Sequence, residues 1–222
     1  MNRPSPAEAW ASMEAGNMRF VAGTPEHPRQ DAERREQLAH EQHPWVALFG
    51  CSDSRLAAEI IFDKGLGDLF VIRNAGQVVS HSVIGSLEYA VEVLGSSLIV
   101  VLAHDECGAV NAAIRSLEPE PAPLPPHIAA QIRPIVPAVQ RVWLAEHPRT
   151  PYVDPELIDS HKVGLAHLQE TIARILQESE LISERVADGS LGIVGATYRL
   201  VVGRAEAEIM IGDFGEQQPV AP

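Results

Sequence analysis

Two cysteines and one histidine stand at the ends of two apolar segments and could together hold a metal ion. Cys51 closes the apolar run 45–51, and His104 and Cys107 directly follow the run 98–102. Two thiolates and one imidazole suit a tetrahedral zinc ion, and three protein ligands leave a fourth position for an exchangeable group. The residue types therefore predict a catalytic zinc site.

Other interpretations of these residues remain open at this point. The chain has two cysteines in all, which could form a disulfide, pack as inert core thiols or share a metal ion. His104 and Cys107 could also be an ordinary buried pair, since free cysteine is among the most buried residue types. A reducing compartment disfavours the disulfide, and the residues that follow Cys51 favour the metal.

Asp53 and Arg55 follow Cys51 closely enough to lie beside the metal. Asp53 could accept a hydrogen bond from metal-bound water, bind the zinc as a fourth ligand, or form only a structural ion pair. If Arg55 holds the carboxylate by hydrogen bonds, Asp53 stays off the metal and the fourth position is open. If Asp53 binds, the site is closed and inactive. We therefore expect the Asp53–Arg55 pair to control the fourth zinc position.

Composition and charge argue against several classes of partner. The chain of 222 residues has a formal net charge of −13, whereas nucleic-acid binding needs clustered Lys and Arg. Polar residues follow Met1, and no apolar run approaches the ~20 residues that span a bilayer. We expect a cytoplasmic protein that binds neither nucleic acid nor membrane.

The remaining apolar segments predict an α/β fold with a mostly parallel sheet. Four short apolar runs are typical of strands buried on both faces: residues 45–51, 69–73, 98–102 and 191–195. They alternate with helical patterns, which favours parallel strands flanked by helices. A hairpin within residues 198–211, turning at Gly203 and Arg204, would add an antiparallel edge strand.

The helical segments complete this expected architecture. Helical patterns occupy residues 82–94, a segment from Gly108, and residues 128–146 and 156–187, and a Pro-rich loop occupies residues 118–126. Residues 1–43 are polar and helix-forming and predict an N-terminal helical arm. Residues 44–222 would form the zinc-binding α/β core, and the length fits a single domain over residues 1–222.

The two metal motifs together resemble the β-class carbonic anhydrases. The matching segments are Cys51-Ser-Asp53-Ser-Arg55, His104-x-x-Cys107, Gly16-Asn-x-Arg-Phe20, Arg73-Asn-Ala-Gly76 and Gly195-x-x-Tyr198. The resemblance implies an α/β zinc lyase that interconverts carbon dioxide and bicarbonate, with one zinc ion per subunit. It also implies a dimer or tetramer in which the N-terminal arm packs on the partner subunit, which would account for Trp10 and Phe20.

The ligands also indicate how such a reaction would proceed. Zinc-bound hydroxide would attack the carbon of carbon dioxide. Two thiolates neutralise the charge of the ion, so the bound water should be less acidic than where three histidines hold zinc. Activity should therefore rise through the alkaline range. Gly108 could offer its N–H to the substrate at the start of a helix.

Other positions are candidates for supporting roles. Related enzymes of one subtype place a glutamine near the substrate, and Gln30 could play that part across a dimer interface, with Gln77 also available. Three apolar residues could line a carbon dioxide pocket or belong to ordinary core: Phe70, Val78 and Val79. His81 is the first candidate proton shuttle, and the other histidines outside the metal motif, including His167, are interpreted as surface residues.

Two further functions fit the same ligands. The zinc could serve the hydrolysis of carbon disulfide or carbonyl sulfide in a differently gated pocket. Alternatively, the zinc could be structural or regulatory, as in a bicarbonate-sensing protein, with no exchangeable water. The Asp53–Arg55 pair speaks against this last function, because a structural site is usually completed by a fourth Cys or His.

Overall fold

One five-stranded sheet organises the chain. The structure, a computed structural model, describes residues 3–150 and 152–215. The strands are β1 (Val46–Cys51), β2 (Leu69–Asn74), β3 (Leu98–His104), β4 (Gly192–Arg199) and β5 (Arg204–Ile211). Their order in the sheet is β2-β1-β3-β4-β5, with the first four parallel and β5 antiparallel to β4. The predicted parallel sheet with an antiparallel edge strand is confirmed.

The central strands are apolar at successive positions because both faces of the sheet are covered. In β1, Val46 and Leu48 enter one buried cluster, whereas Ala47 and Phe49 enter a second cluster on the opposite face. Such continuous apolar runs are typical of parallel sheets with helices on both sides. In β5, exposure instead alternates along the strand, as expected for an edge.

Nine α-helices surround the sheet within the described residues. They are α1 (Pro6–Val21), α2 (Ala32–Gln37), α3 (Ala58–Ile61), α4 (His81–Glu88), α5 (Gly108–Arg115), α6 (Pro126–Ile132), α7 (Val136–Glu146), α8 (Ser160–Glu178) and α9 (Glu180–Ala187). Helices α1, α3, α5, α6 and α7 cover one face, α4 and α9 cover the other, and α8 contributes to both clusters. None of these helices is both long and apolar enough to cross a bilayer.

The structure divides two of the predicted helices and changes the end of a third. The helix expected over residues 128–146 is broken by a 3₁₀ turn at Arg133–Ile135, because prolines in this stretch cannot donate to the helical ladder. The helix expected over residues 156–187 begins at Ser160 and is interrupted at Ser179, whose hydroxyl accepts from the N–H of Ile182 and caps α9. The predicted helix 82–94 ends in a π-helical turn, Tyr89–Val93.

The hairpin also differs from its predicted boundaries. β4 continues to Arg199, so the segment expected as a strand over residues 198–202 is mostly the turn before β5. The Pro-rich loop over residues 118–126 is found as predicted, ending where α6 begins at Pro126. The predicted domain over residues 1–222 also includes residues 1, 2, 151 and 216–222, which lie outside the described residues.

The N-terminal arm packs on its own chain, which corrects the interpretation of Trp10. Ser5 and Glu8 form a capping box that starts α1. Trp10 is 2% exposed and lies in the cluster that covers one face of the sheet. The Asn17 side chain bonds to the main chain of α3 and of the β4–β5 hairpin. Trp10 therefore needs no partner subunit to be buried.

Candidate metal centre

The three predicted ligands converge at the carboxyl edge of the sheet. Cys51 ends β1 and His104 ends the neighbouring strand β3, so both side chains emerge at the same edge. Cys107 is the residue immediately before α5. The ligand atoms of all three residues lie within 4.8 Å of one another, and all three residues are buried.

His104 presents one ring nitrogen to the two sulfurs. Its Nδ1 lies 2.7 Å from the main-chain oxygen of Asp105, and a carbonyl oxygen can only accept, so Nδ1 carries the proton. Its Nε2 is buried and has no hydrogen-bond partner among the described residues. A neutral imidazole with a free, buried lone pair is the form that ligates a metal.

The two cysteine side chains contact each other through a hydrogen bond. Neither forms a disulfide in the described part of the chain. The hydrogen bond from Cys107 lowers the pKa of Cys51, while the same contact and burial raise the pKa of Cys107. Two adjacent thiolates repel each other unless a cation lies between them. A divalent cation between the two sulfurs would relieve this repulsion. Two sulfurs and one nitrogen also match zinc in donor type and in number.

The loop between β3 and α5 holds Cys107 in place. Glu106 has a positive φ of 51°, a conformation that non-glycine residues adopt only when their surroundings enforce it. Its main-chain oxygen accepts a hydrogen bond from Arg55 Nη2 at 3.3 Å. The Asp105 carboxylate accepts from the N–H of Leu200 at 2.9 Å. These contacts turn the chain back so that Cys107 faces Cys51.

Arg55 grips Asp53 beside the ligand cluster. The guanidinium donates from Nε to Oδ1 at 2.9 Å and from Nη2 to Oδ2 at 2.8 Å, and the Arg55 N–H also donates to Oδ1. These hydrogen bonds hold the pKa of Asp53 well below its usual range. Asp53 Oδ2 lies 4.0 Å from His104 Nε2, so the carboxylate borders the cluster but is held by the guanidinium.

Arg73 supports the site but was not identified as a functional residue from the sequence. Its side chain donates to the main-chain oxygen of Cys51 at 2.9 Å and of Asp53 at 2.6 Å. The contact arises because Arg73 on β2 pairs with Gly50 on β1. That register is a tertiary property, and the only sequence signal was the position of Arg73 within a segment resembling the β-class enzymes.

The segment after β2 passes close to Cys51. The Asn74 side chain closes this segment by bonding the N–H and the oxygen of Val78 at 2.8 and 2.7 Å. Gly76 has a φ of 79°, and a Cβ at this position would lie 2.7 Å from Ala109 Cβ. Only glycine therefore fits, and its N–H donates to Cys51 Sγ at 3.3 Å.

The remaining predicted residues are placed differently. Gly108 is exposed at the first turn of α5, with open space where a side chain would project. Val78 packs in the same cluster as the cysteines, whereas Val79 enters the cluster on the other face. Phe70 is half-buried beside Tyr89, and His81 is exposed.

Gln30 is not brought to this chain's metal centre. It is exposed, and the preceding residue, Arg29, accepts a hydrogen bond from the N–H of Leu66 just before β2. That position is the amino edge of the parallel strands, opposite to Cys51. Gln30 therefore lies apart from the metal-ligand cluster of its own chain.

His167 is buried, so its interpretation as a surface residue was wrong. The residue is 3% exposed, and Nε2 lies 2.8 Å from the main-chain oxygen of Gly76. Burial lowers its pKa. Helical periodicity places position 167 next to the apolar residues of α8, but the approach of Gly76 is a tertiary contact without a local signal.

Comparison with known proteins identifies the family. A family model described as carbonic anhydrase matches residues 46–205. Carbonic anhydrase 2 of Mycobacterium tuberculosis is 46% identical, over 98% of this chain and 100% of the relative. The chain belongs to the carbonic anhydrase family. A carbonic anhydrase of Mycolicibacterium smegmatis is 43% identical to this chain, over 97% of this chain and 100% of the relative.

Solved structures agree with this carbonic anhydrase assignment at the level of the fold. A tetrameric β-carbonic anhydrase of Sordaria macrospora superposes with a TM-score of 0.68 at 21% identity, covering 89% of this chain and 96% of that chain. A Coccomyxa β-carbonic anhydrase in complex with acetazolamide gives a TM-score of 0.66 at 24% identity, covering 79% and 77%. The predicted resemblance to the β class is confirmed.

Proposed function

We propose that this chain catalyses the reversible hydration of carbon dioxide to bicarbonate and a proton, with one Zn²⁺ held per subunit by Cys51, His104 and Cys107. The observation that carries this proposal is the buried Cys-His-Cys cluster at the sheet edge of a carbonic anhydrase family member. When bound, zinc supplies a Lewis acid that acidifies water and so provides a nucleophile. Two thiolates weaken this effect, so we expect activity to increase toward alkaline pH.

Asp53 and Arg55 would control access to the position that the three ligands leave open. The low pKa of Asp53 keeps its carboxylate ionised, so it can accept a hydrogen bond from a group at that position. Arg55 restrains both carboxylate oxygens. Asp53 could become a fourth metal ligand only in a closed state, in which these two hydrogen bonds break.

Substrate contacts and assembly complete the proposal. The N–H of Gly108, an exposed residue at the first turn of α5, would bind carbon dioxide or bicarbonate. Gln30 would reach the substrate from a partner subunit, since it lies at the far edge of its own sheet. We therefore propose a dimer, or a tetramer as in the Sordaria relatives. Two free buried thiols fit a cytoplasmic, reducing location.

Stopped-flow carbon dioxide hydration on protein of known zinc content tests the function. The zinc-loaded protein should turn over rapidly, and Cys107→Ala, which removes one ligand, should not. Carbon disulfide and carbonyl sulfide should be much poorer substrates. Faster turnover of either sulfur compound, or stoichiometric zinc without any hydration at alkaline pH, would overturn the proposal.

A further inference from the structure

A main-chain N–H in the segment after β2 contacts a metal-ligand sulfur. The N–H of Gly76 donates to Cys51 Sγ at 3.3 Å in a buried setting. A hydrogen bond to a thiolate withdraws electron density from the sulfur and so changes how strongly it donates to a metal. The orientation of the Ala75–Gly76 peptide therefore influences the ligand.

A side chain from α6 holds the other end of that peptide. Gln131 Nε2 donates to the main-chain oxygen of Ala75 at 2.8 Å. The oxygen of Ala75 and the N–H of Gly76 belong to one planar peptide unit. A hydrogen bond to the oxygen fixes the plane of this unit and polarises its N–H, as in cooperative hydrogen-bond chains. Gln131 is thus connected to Cys51 through a single peptide.

A second side chain, from α8, holds the next peptide. His167 Nε2 donates to the main-chain oxygen of Gly76 at 2.8 Å. The Nδ1 of this imidazole is buried without a hydrogen-bond partner within residues 3–150 and 152–215. Because the carbonyl only accepts, Nε2 carries the proton. His167 is therefore a neutral donor whose one hydrogen bond is to the metal-site segment.

Both contacts meet at a residue with little freedom to move. Gly76 has the left-handed φ described above and packs against Ala109 and Ile135. Gln131 and His167 lie 56 and 91 positions from their acceptors in the sequence, yet they bind the two successive carbonyls that flank the Gly76 N–H. Packing of α6 and α8 would not by itself place one hydrogen-bond donor on each of these two carbonyls.

We propose that Gln131 and His167 are positioning residues that tune the metal-bound Cys51 thiolate through the two peptides on either side of Gly76. The inference rests on the proposed function only in that Cys51 binds a metal. Neither side chain touches a ligand atom or the substrate. Their effect is on the electron density that the sulfur donates to the metal.

Cobalt substitution tests the role of Gln131, which is half-exposed and can be replaced without opening the core. Gln131→Leu should shift the sulfur-to-cobalt charge-transfer band to longer wavelength, because a weaker hydrogen bond from the Gly76 N–H lets the Cys51 sulfur give up an electron more easily. The alkaline rise of carbon dioxide hydration should move to higher pH. Gln140→Leu, the same substitution at an exposed position on α7, should leave both unchanged. An unshifted band in cobalt-loaded Gln131→Leu would overturn the proposal.

Two variants test His167 separately. His167→Leu removes the donor and should shift the band in the same direction, whereas His167→Gln keeps a donor and should restore it. Thr171→Val, a buried substitution one turn along α8, controls for disturbance of the helix. A shift of equal size in Thr171→Val would assign the effect to packing and overturn the role of His167.

The same spectra separate this inference from the proposed function. Wild-type protein that shows the cobalt band but hydrates no carbon dioxide would overturn the function, and the shifts in the variants would still support the positioning role. Wild-type protein that binds no cobalt would overturn both.

Discussion

At the proposed metal centre, the position of the Asp53 carboxylate would determine whether a metal has three protein ligands or four. Asp53 Oδ2 lies 4.0 Å from His104 Nε2, and Arg55 binds both carboxylate oxygens. The guanidinium is a planar double donor, which a lysine could not reproduce. If Arg55 keeps the fourth metal position open, as proposed, this role would depend on the geometry of its guanidinium as well as on its charge.

Replacing Arg55 tests this dependence. Arg55→Ala should retain one zinc per chain and lower kcat by about 100-fold or more, because the released Asp53 is free to take the fourth position. Metal analysis and stopped-flow hydration on the same sample measure both quantities. Arg185→Ala, which breaks an exposed ion pair with Glu92, is the matched control and should be fully active. Full activity in Arg55→Ala would refute the gating role.

Gly76 gives a second prediction about a single residue. Gly76→Ala should destabilise the protein by about 1–2 kcal/mol from the left-handed backbone alone, with a further steric cost against Ala109. It should also weaken zinc retention in a chelator competition, because the N–H to Cys51 moves. Gly85→Ala, in open space on α4, should be neutral or stabilising. Equal stability and equal zinc retention in Gly76→Ala and Gly85→Ala would contradict this prediction.

The residues that could be predicted from the sequence are those within two local motifs. Cys51, His104, Cys107, Asp53 and Arg55 stand at fixed spacings after apolar runs, so their convergence followed from parallel strands ending at one edge. Arg73, Gln131 and His167 reach the site through strand register or through contacts between distant segments. Arg73 lies in a segment that resembles the β-class enzymes, but nothing in the local sequence distinguishes Gln131 and His167 from other glutamines and histidines.

At the scale of the elements, strands were easier to predict than helix boundaries. A strand buried on both faces is a short apolar run, which few other structures produce. The break at Ser179 is different, because the apolar periodicity continues from α8 into α9 and a serine is tolerated in helices. At this break the Ser179 hydroxyl caps α9 and also donates to Glu88 on α4, which is a tertiary contact.

Helix α8 carries a prediction about stability and pH. Burial lowers the pKa of His167 below 6.5, so the unfolded chain binds a proton here more readily than the folded chain. The stability that neutral His167 contributes is complete above about pH 6.5 and is lost as pH falls toward its folded pKa, by up to ~1.4 kcal/mol per pH unit.

Urea unfolding at pH 7.5 and pH 5.5 measures this effect. The wild-type free energy of unfolding should fall more steeply between these two values than that of His167→Gln, which cannot be protonated. All other titrating groups are common to both proteins, so their contributions cancel in the comparison. If the free energy of unfolding falls equally in both proteins, His167 is not buried as a neutral donor.

At the scale of the whole molecule, the N-terminal arm and the position of Gln30 at one edge of the sheet bear on whether a partner subunit takes part in the site. Trp10 is used within the chain's own core, so Trp10 is not by itself a sign of assembly. Gln30 bears on assembly only through its proposed role at the substrate, because it lies at the opposite sheet edge from its own Cys51. A role for Gln30 in catalysis therefore requires a partner subunit.

Mixed oligomers test that requirement. A Gln30→Ala chain keeps its metal ligands, and a Cys107→Ala chain keeps Gln30. After co-refolding, mixed dimers should regain turnover above the sum of the two separate variants, because one intact metal centre then faces one intact Gln30. If subunit exchange is verified and turnover does not rise above that sum, Gln30 is not part of the substrate site.

The central claim is that the Cys51–His104–Cys107 cluster binds one zinc ion and that this ion is required for carbon dioxide hydration. Titration of zinc into metal-free protein, with stopped-flow hydration measured at each addition and at alkaline pH, tests it most directly. Turnover should increase in proportion to bound zinc and reach its maximum at one ion per chain. Full turnover without metal, or saturation with zinc and no turnover, would contradict it.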